Sequence, residues 1–392
     1  MASRAATAAI TYKILHAFHW ASNPTGNLIF EAAGNLYGTT ANGGSTKCSG
    51  GCGAVYRLTP KPDGNWTLAI LYAFTGADGA NPYAGLIFDA AGNLYGTTYL
   101  GGSTACPYGC GVVFKLKPNP DGTWTESVLH SFTGPDGAAP LAGLIFDAAG
   151  NLYGTTANGG ADNNGVVFKL TPGPDGTWTE SVLYSFTGGA DGANPWLAGL
   201  VFDAAGNLYG MTEGGGGSGR GVVLKLTPNP DGTWTESVLH SFTGPDGSFP
   251  FAGLILDAAG NLYGTTDDGG SGGCTDGCGV VFKLAPNPDG TWTESVLYSF
   301  RLLGGGARPH AGLTFDAAGN LYGTTLKGGA YDYGVVFKLA PSSTGWKETV
   351  LHTFGGLGKY PFAPVIFDPA GNLYGTTSSG SSNYGLVFEI AP

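Results

Sequence analysis

A chain of 392 residues, 42% of them apolar, has enough apolar surface for a sizeable core and is not disordered throughout. Seventeen basic against 28 acidic residues leave a net charge of −11, which repels phosphate backbones and argues against a nucleic-acid partner. No apolar run approaches the ~18–20 residues of a membrane helix, so no membrane span is expected.

The first ten residues, Met1 to Ile10, lack the apolar stretch of a signal peptide. The chain therefore reads as either cytoplasmic or a mature form with its leader removed. Tyr12 to Phe18 follows as a strand whose sequence matches Val128–Phe132 much further along. From there one pattern repeats. Gly-Asn-Leu-Tyr-Gly occurs seven times, beginning at Gly34, Gly92, Gly150, Gly206, Gly260, Gly319 and Gly371, at intervals of 52 to 59 residues. Around each copy the same four segments recur, clearest at Ala142–Asp147, Asn151–Thr156, Gly165–Leu170 and Trp178–Phe186. All are short and rich in β-branched and aromatic residues, and turn residues bound them, so they read as strands A, B, C and D. Asp147-Ala-Ala-Gly150 makes a tight A–B hairpin and Pro174-Asp175-Gly176 the C–D turn. The D–A segment, Thr187 to Leu197, is long enough to carry the chain from the rim of one sheet to the axis of the next.

Four-stranded units at this period are the mark of propeller blades. The fold class expected is all-β: a seven-bladed β-propeller of four-stranded antiparallel blades. A β-solenoid, the structural rival, has shorter coils and needs caps. The chain ends at Tyr384–Ile390, a strand C, so the last blade lacks a strand D and the N-terminal segment is a spare one. Pairing them closes the ring and removes two exposed edges. Residues 1–392 then form a single propeller domain, with residues 10–18 completing blade 7.

The set Ala-Gly-Leu-Ile-Phe-Asp, Gly-Asn-Leu-Tyr-Gly-Thr-Thr, Gly-Gly and Gly-Val-Val-Phe-Lys-Leu resembles the GloVer tandem repeat of choice-of-anchor bacterial proteins, over essentially the whole chain. The resemblance implies an exported protein, extracellular or at the cell surface, and it implies no reaction. The chain departs from that family in having neither a leader nor an anchor segment after Pro392.

All six cysteines fall in B–C loops, as Cys48 with Cys52, Cys106 with Cys110, and Cys274 with Cys278. Those three loops hold eight residues between the Gly-Gly and the glycine that opens strand C, where the other four hold four. Disulfides that tighten the added residues explain the correlation and imply an oxidising compartment. The rival is thiolate metal binding, but a pair supplies only two of the four ligands a closed site usually takes. No metal or cofactor is expected.

Alternating strand direction puts the D–A and B–C loops on one face and the A–B and C–D turns on the other. The second face is nearly invariant, and its aspartates (Asp89, Asp147, Asp203, Asp257, Asp316) read as turn acceptors. Asp78, Asp136, Asp191 and Asp246, on the first face, also read as turn residues, with calcium binding as the rival. His16, His130, His240 and His352 share a strand-D position with Tyr72, Tyr184 and Tyr298, an exchange that reads as structural.

The first face varies. After the proline that enters strand A stand Tyr83, Leu141, Trp196, Phe251, His310 and Phe362, with Thr25 in blade 1. Aromatic residues around one opening suit a sugar ring or another flat ligand; packing between blades is the plain alternative. A charged group, Glu213, Asp267, Asp268, Lys327, Arg220, Arg301 and Arg308 with His310, breaks a surface otherwise poor in charge. Glu213, Asp267, Asp268 and His310 could perform acid–base chemistry, or could form a solvated rim of ion pairs. The expectation is a secreted, non-enzymatic, monomeric binding module. Its ligand is a carbohydrate or surface polymer held by Tyr83, Trp196, Phe251, His310 and Phe362. The alternatives are a polysaccharide hydrolase or lyase at the rim of blades 4–6, and a purely structural surface protein.

Overall fold

The computed structural model describes residues 10–19, 23–301, 304–380 and 384–391. The segment before Ile10, on which the leader reading rests, lies outside them. Each repeat forms one four-stranded antiparallel sheet, and seven such sheets make a seven-bladed propeller. In blade 3 the strands are Ile145–Phe146, Leu152–Thr156, Val166–Pro172 and Trp178–Ser185, in the spatial order A-B-C-D. Strand A is shorter than the expected run from Ala142 to Asp147. The start of that run bonds to the neighbouring blade: the Ala142 carbonyl accepts a hydrogen bond from Thr97 Oγ1 of blade 2 at 3.1 Å. Thr39, Thr155, Thr265 and Thr324 donate likewise to the next blade. In blade 4 Met211 replaces this threonine.

Strand B is buried along its whole length in every blade, because it is covered on both faces by adjacent sheets. Its central glycine has a steric cause. Gly154 pairs with Phe168 on strand C, and a Cβ at Gly154 would sit 2.6 Å from the ring's Cζ. Phe168 in turn meets Phe132 of blade 2 edge-on, with centroids 5.1 Å apart. The core therefore lies between blades. One such layer joins Tyr95, Val113 and Phe132 of blade 2 to Leu144, Leu152, Val166, Phe168 and Leu170 of blade 3. Each buried Phe or Leu contributes roughly 1.5–3 kcal/mol, so every blade depends on its neighbour.

The invariant face is built as the sequence reading expects. Asp147 accepts from the Ala149 and Asn151 backbone N–H groups, from Asn151 Nδ2 and from the Tyr153 hydroxyl, at 2.7–3.0 Å. Burial alone would push this carboxyl up, but those hydrogen bonds hold it below its ordinary pKa. Tyr153 then packs edge-on against Phe202 and Trp234 of blade 4.

Strand Thr11–Ala17 pairs with Leu386–Ala391, from Thr11 opposite Ala391 to Ala17 opposite Leu386, and completes the sheet of blade 7. Across that seam Tyr12 stacks on His352 with centroids 3.7 Å apart, and burial lowers the His352 pKa to about 4. The D–A and B–C loops share a face: Ala80 bridges Leu100, Ala138 bridges Asn158, and Ser248 bridges Asp268. The cysteines form three disulfides, Cys48–Cys52, Cys106–Cys110 and Cys274–Cys278, with Cα atoms 5.1–5.3 Å apart.

Candidate functional site

The seven A segments enclose an axial channel of about 410 Å³ with a largely aliphatic wall that includes Leu86, Leu144 and Leu254. Tyr83, Leu141, His310 and Phe362 line it, as does Thr25, whose hydroxyl donates to the Tyr83 carbonyl at 3.2 Å. Trp196 does not. Blade 4 carries one extra residue, Pro195-Trp196-Leu197-Ala198 against Pro140-Leu141-Ala142 in blade 3, so Leu197 takes the lining position. Trp196 is displaced onto a cluster of Ala139, Leu141 and Ala157 with Tyr83 and Tyr99. Counting residues between the proline and Ala-Gly-Leu reveals this shift. Phe251 is also outside the lining and packs on His310, ring to ring at 4.3 Å, while Phe362 meets the same imidazole edge-on at 5.1 Å.

A second ring encircles the mouth. Each proline that enters strand A is preceded by a left-handed residue: Asn23, Asn81, Ala139, Asn194, Phe249, Arg308 and Tyr360, with φ between 55° and 62°. Asparagine tolerates this conformation, but Ala139, Phe249, Arg308 and Tyr360 are strained there. The backbone requires it. The Asn81 N–H reaches the Cys52 carbonyl of blade 1, while the Asn81 carbonyl accepts from Tyr99 N–H of its own blade. The asparagine side chains also reach back. Asn81 Nδ2 donates to the Ala41 carbonyl at 2.8 Å and Asn194 Nδ2 to the Ala157 carbonyl at 2.9 Å. Only the three asparagines hint at this ring in the sequence.

In blade 6 the left-handed residue is Arg308, and the polar part of the site gathers around it. Its Nη1 lies 3.7 Å from Asp267 Oδ2, and Nη2 lies 3.3 Å from Asp268 Oδ1. Asp267 Oδ1 is 3.3 Å from His310 Nδ1. The Asp267 side chain is 9% exposed and that of His310 12%, whereas Arg308 is 47% exposed. Burial pushes the Glu213 carboxyl up; the charge of His310 works against this and that of Asp267 adds to it. Burial likewise raises Asp268, opposed by Arg308 and reinforced by Asp267. Glu213, Asp267, Asp268, Arg308 and His310 thus form one electrostatically connected group, and Phe251 and Phe362 pack against its imidazole.

Of the other charged candidates, Arg220 and Lys327 border this group and Arg301 lies away from it. Arg220 donates to Ser248 Oγ at 3.0 Å. Lys327 pairs with Asp332 at 3.4 Å and lies over the Tyr360 ring. Arg301 lies beside Tyr298 and Ser299 of strand D, at the outer rim. Chemically, the mouth offers carboxylates to accept hydroxyl hydrogens, aromatic faces for C–H surfaces, and an imidazole oriented by a carboxylate. Among the described residues three metal-capable side chains converge at His130, Asp136 and Glu180, within 4.8 Å of one another, away from the mouth.

The Gloeobacter/Verrucomicrobia repeat matches this chain over residues 4–197 and again over 173–388. The chain belongs to that repeat family. The seven Gly-Asn-Leu-Tyr-Gly units that these two matches span close into one propeller. No curated protein matches the sequence. Among solved structures the chain is similar to a protein of Bacteroides uniformis ATCC 8492 assigned as a 6-phosphogluconolactonase. That pair shares 17% identity at a TM-score of 0.52, over 83% of each chain. A protein of the same assignment from Bacteroides fragilis NCTC 9343 has 17% identity and a TM-score of 0.51, over 87% of each chain. At that identity the likeness shows the propeller fold alone.

Proposed function

We propose that this chain is a secreted, non-enzymatic binding module whose ligand is a carbohydrate or other surface polymer held at the channel mouth. The supporting observation is how the mouth residues are distributed. Tyr83, Tyr99 and Trp196 form one aromatic arc on blades 2–4, and Phe251, His310 and Phe362 form another on blades 5–7. Buried carboxylates stand beside the second. Apolar faces with a few fixed polar groups are what a sugar ring needs. The three disulfides favour an extracellular setting. The test is a glycan array followed by calorimetry on Tyr83→Ala, Phe362→Ala and His310→Ala. Binding should fall at least tenfold for the aromatic truncations, and binding unchanged in all three variants removes the mouth as the site.

A second reading, a polysaccharide hydrolase or lyase, rests on the contact between Asp267 and His310 Nδ1, which orients an imidazole as a general base. Reducing ends or unsaturated sugars released from a polysaccharide panel, and abolished by Asp267→Asn, would establish it in place of the binding role.

A further inference from the structure

Four blade seams carry a pair of carboxyl groups with too few donors for both. On strand D of blades 2–5 stand Glu126, Glu180, Glu236 and Glu294, and each faces an aspartate in the connection from the preceding blade: Asp78, Asp136, Asp191 and Asp246. The aspartates take every donor nearby. Asp78 accepts from the Tyr72 hydroxyl, the Thr75 N–H and the Thr75 hydroxyl. Asp136 accepts from the Thr133 N–H and hydroxyl, and bonds His130 Nε2 at 2.9 Å. Asp191 and Asp246 repeat the two arrangements with Tyr184 and His240. In all four glutamates Oε1 is sealed from solvent and has no hydrogen-bond partner. Strand C of the same blade offers only Leu116, Leu170, Leu226 and Leu284 opposite them.

The fifth seam supplies the contrast. The connection into blade 6 (residues 301–308) contains no aspartate, and there Glu348 receives both donors itself, the Tyr298 hydroxyl at 2.9 Å and the Gly306 N–H at 3.1 Å. A glutamate at this position is thus hydrogen-bonded as a carboxylate when no aspartate competes. Where one does, no donor among the described residues reaches the buried Oε1, and a proton on the glutamate removes the uncompensated charge there.

We propose that Glu126, Glu180, Glu236 and Glu294 are protonated clasps that close four blade seams under mildly acidic conditions and loosen them when the protons leave. The pKa shifts agree with the geometry: burial, reinforced by the facing aspartate, pushes all four glutamates up to about 7. These folded-state values lie above the ordinary 4.5, so the folded chain binds protons the unfolded chain does not. The stabilisation is complete below about pH 4.5 and is lost as pH rises through 7. The seams connect to the mouth, since each aspartate lies three residues before a left-handed residue of the ring: Asn81, Ala139, Asn194 or Phe249. The inference does not depend on what the mouth binds.

The test is thermal unfolding between pH 5 and 8, on the wild type and on two double variants. Glu126→Gln with Glu236→Gln alters seams whose partner is a tyrosine; Glu180→Gln with Glu294→Gln alters the seams that contain His130 and His240. Glutamine keeps the shape and donates an N–H where the protonated acid would. The wild-type Tm should fall by roughly 5 °C from pH 5 to pH 8, and each double variant should flatten that slope. A slope unchanged in Glu126→Gln/Glu236→Gln, which contains no seam histidine, overturns the proposal. Carboxyl carbon NMR on the wild type tests it without any variant. Four glutamates should titrate near neutrality, and midpoints all in the ordinary carboxylate range overturn it. Loss of stability on adding EDTA at pH 7 would assign the His130–Asp136–Glu180 group to a cation and overturn the proton reading.

Discussion

Replacing Ala139 by asparagine should stabilise the fold, and replacing Arg308 by asparagine should not. Both residues hold the same left-handed backbone, at φ 60° and 57°. That conformation costs an ordinary L-residue about 1–2 kcal/mol, and asparagine adopts it more readily. In blades 2 and 4 the asparagine amide also donates to a carbonyl of the preceding blade, that of Ala41 or Ala157; Tyr99 holds the corresponding place for blade 3. A hydrogen bond of this kind adds about 1 kcal/mol. Ala139→Asn should therefore gain roughly 1–2 kcal/mol, less the small apolar contact of one methyl. Arg308→Asn gains the same backbone relief but strips the guanidinium from two aspartates. Uncovering carboxylates this deeply placed outweighs about 1 kcal/mol of relief, even after discounting for the half-exposed arginine. Urea unfolding at constant m reads both changes as shifts in midpoint. A lower midpoint for Ala139→Asn, or equal gains for the two variants, refutes the assignment of strain and of the arginine's role.

Three further outcomes are expected. Cys274→Ser with Cys278→Ser should cost about 2 kcal/mol, the entropy of so short a ring, and should weaken mouth binding as well. The reason for the second effect is that the Cys278 carbonyl accepts the Arg308 N–H; calorimetry of the double variant checks both. Gly154→Ala should destabilise by about 1–3 kcal/mol through overpacking against Phe168, measured by the same urea midpoint. If Glu213 binds ligand as a carboxylate, its raised pKa means that affinity should strengthen as pH rises above the usual glutamate range; affinity measured from pH 4.5 to 7.5 should lose this trend in Glu213→Gln.

Fold and site differ in how much the amino-acid order reveals. The propeller is legible because strand alternation and turn chemistry are local rules stated seven times, and because the strand-C ending of the chain matches the strand-D beginning. The disulfides are legible from loop length against cysteine content. The mouth is only half legible. Tyr83, His310 and Phe362 follow from position in the repeat, but position fails at Trp196, where one inserted residue shifts the register. Arg301 shares the connection between blades 5 and 6 with His310, and Lys327 follows strand B as Glu213 and Asp267 do. Arg301 separates from His310 because a D–A connection spans from the rim to the axis of the ring, so residues a few places apart lie far apart radially, whereas Lys327 stays at the mouth over the Tyr360 ring. The left-handed ring and the glutamate seams involve a backbone torsion and a donor count, and neither is written in residue types.

In a molecule built from seven near-copies, a departure from the repeat is informative because six other blades show what the fold requires. Several departures lie close together. Met211 replaces the inner threonine in blade 4, Trp196 is inserted at the entrance to the same blade, and Glu213 and Asp267 take a position filled by Ala41 and Ala157 elsewhere. Arg308 stands where three blades have asparagine, and the connection that carries it has lost its aspartate. Each of these weakens a rule that stabilises the other blades: a hydrogen bond between blades, the strand register, an apolar ring position, an easy backbone conformation, a turn acceptor. Others fall outside this group, at Ala139 in blade 3 and at Tyr360 and Ser378 in blade 7. But the charged replacements at these positions, Glu213, Asp267 and Arg308, all lie on blades 4–6 at the face where His310, Phe251 and Phe362 meet the channel, which is where a binding demand on the mouth would concentrate them.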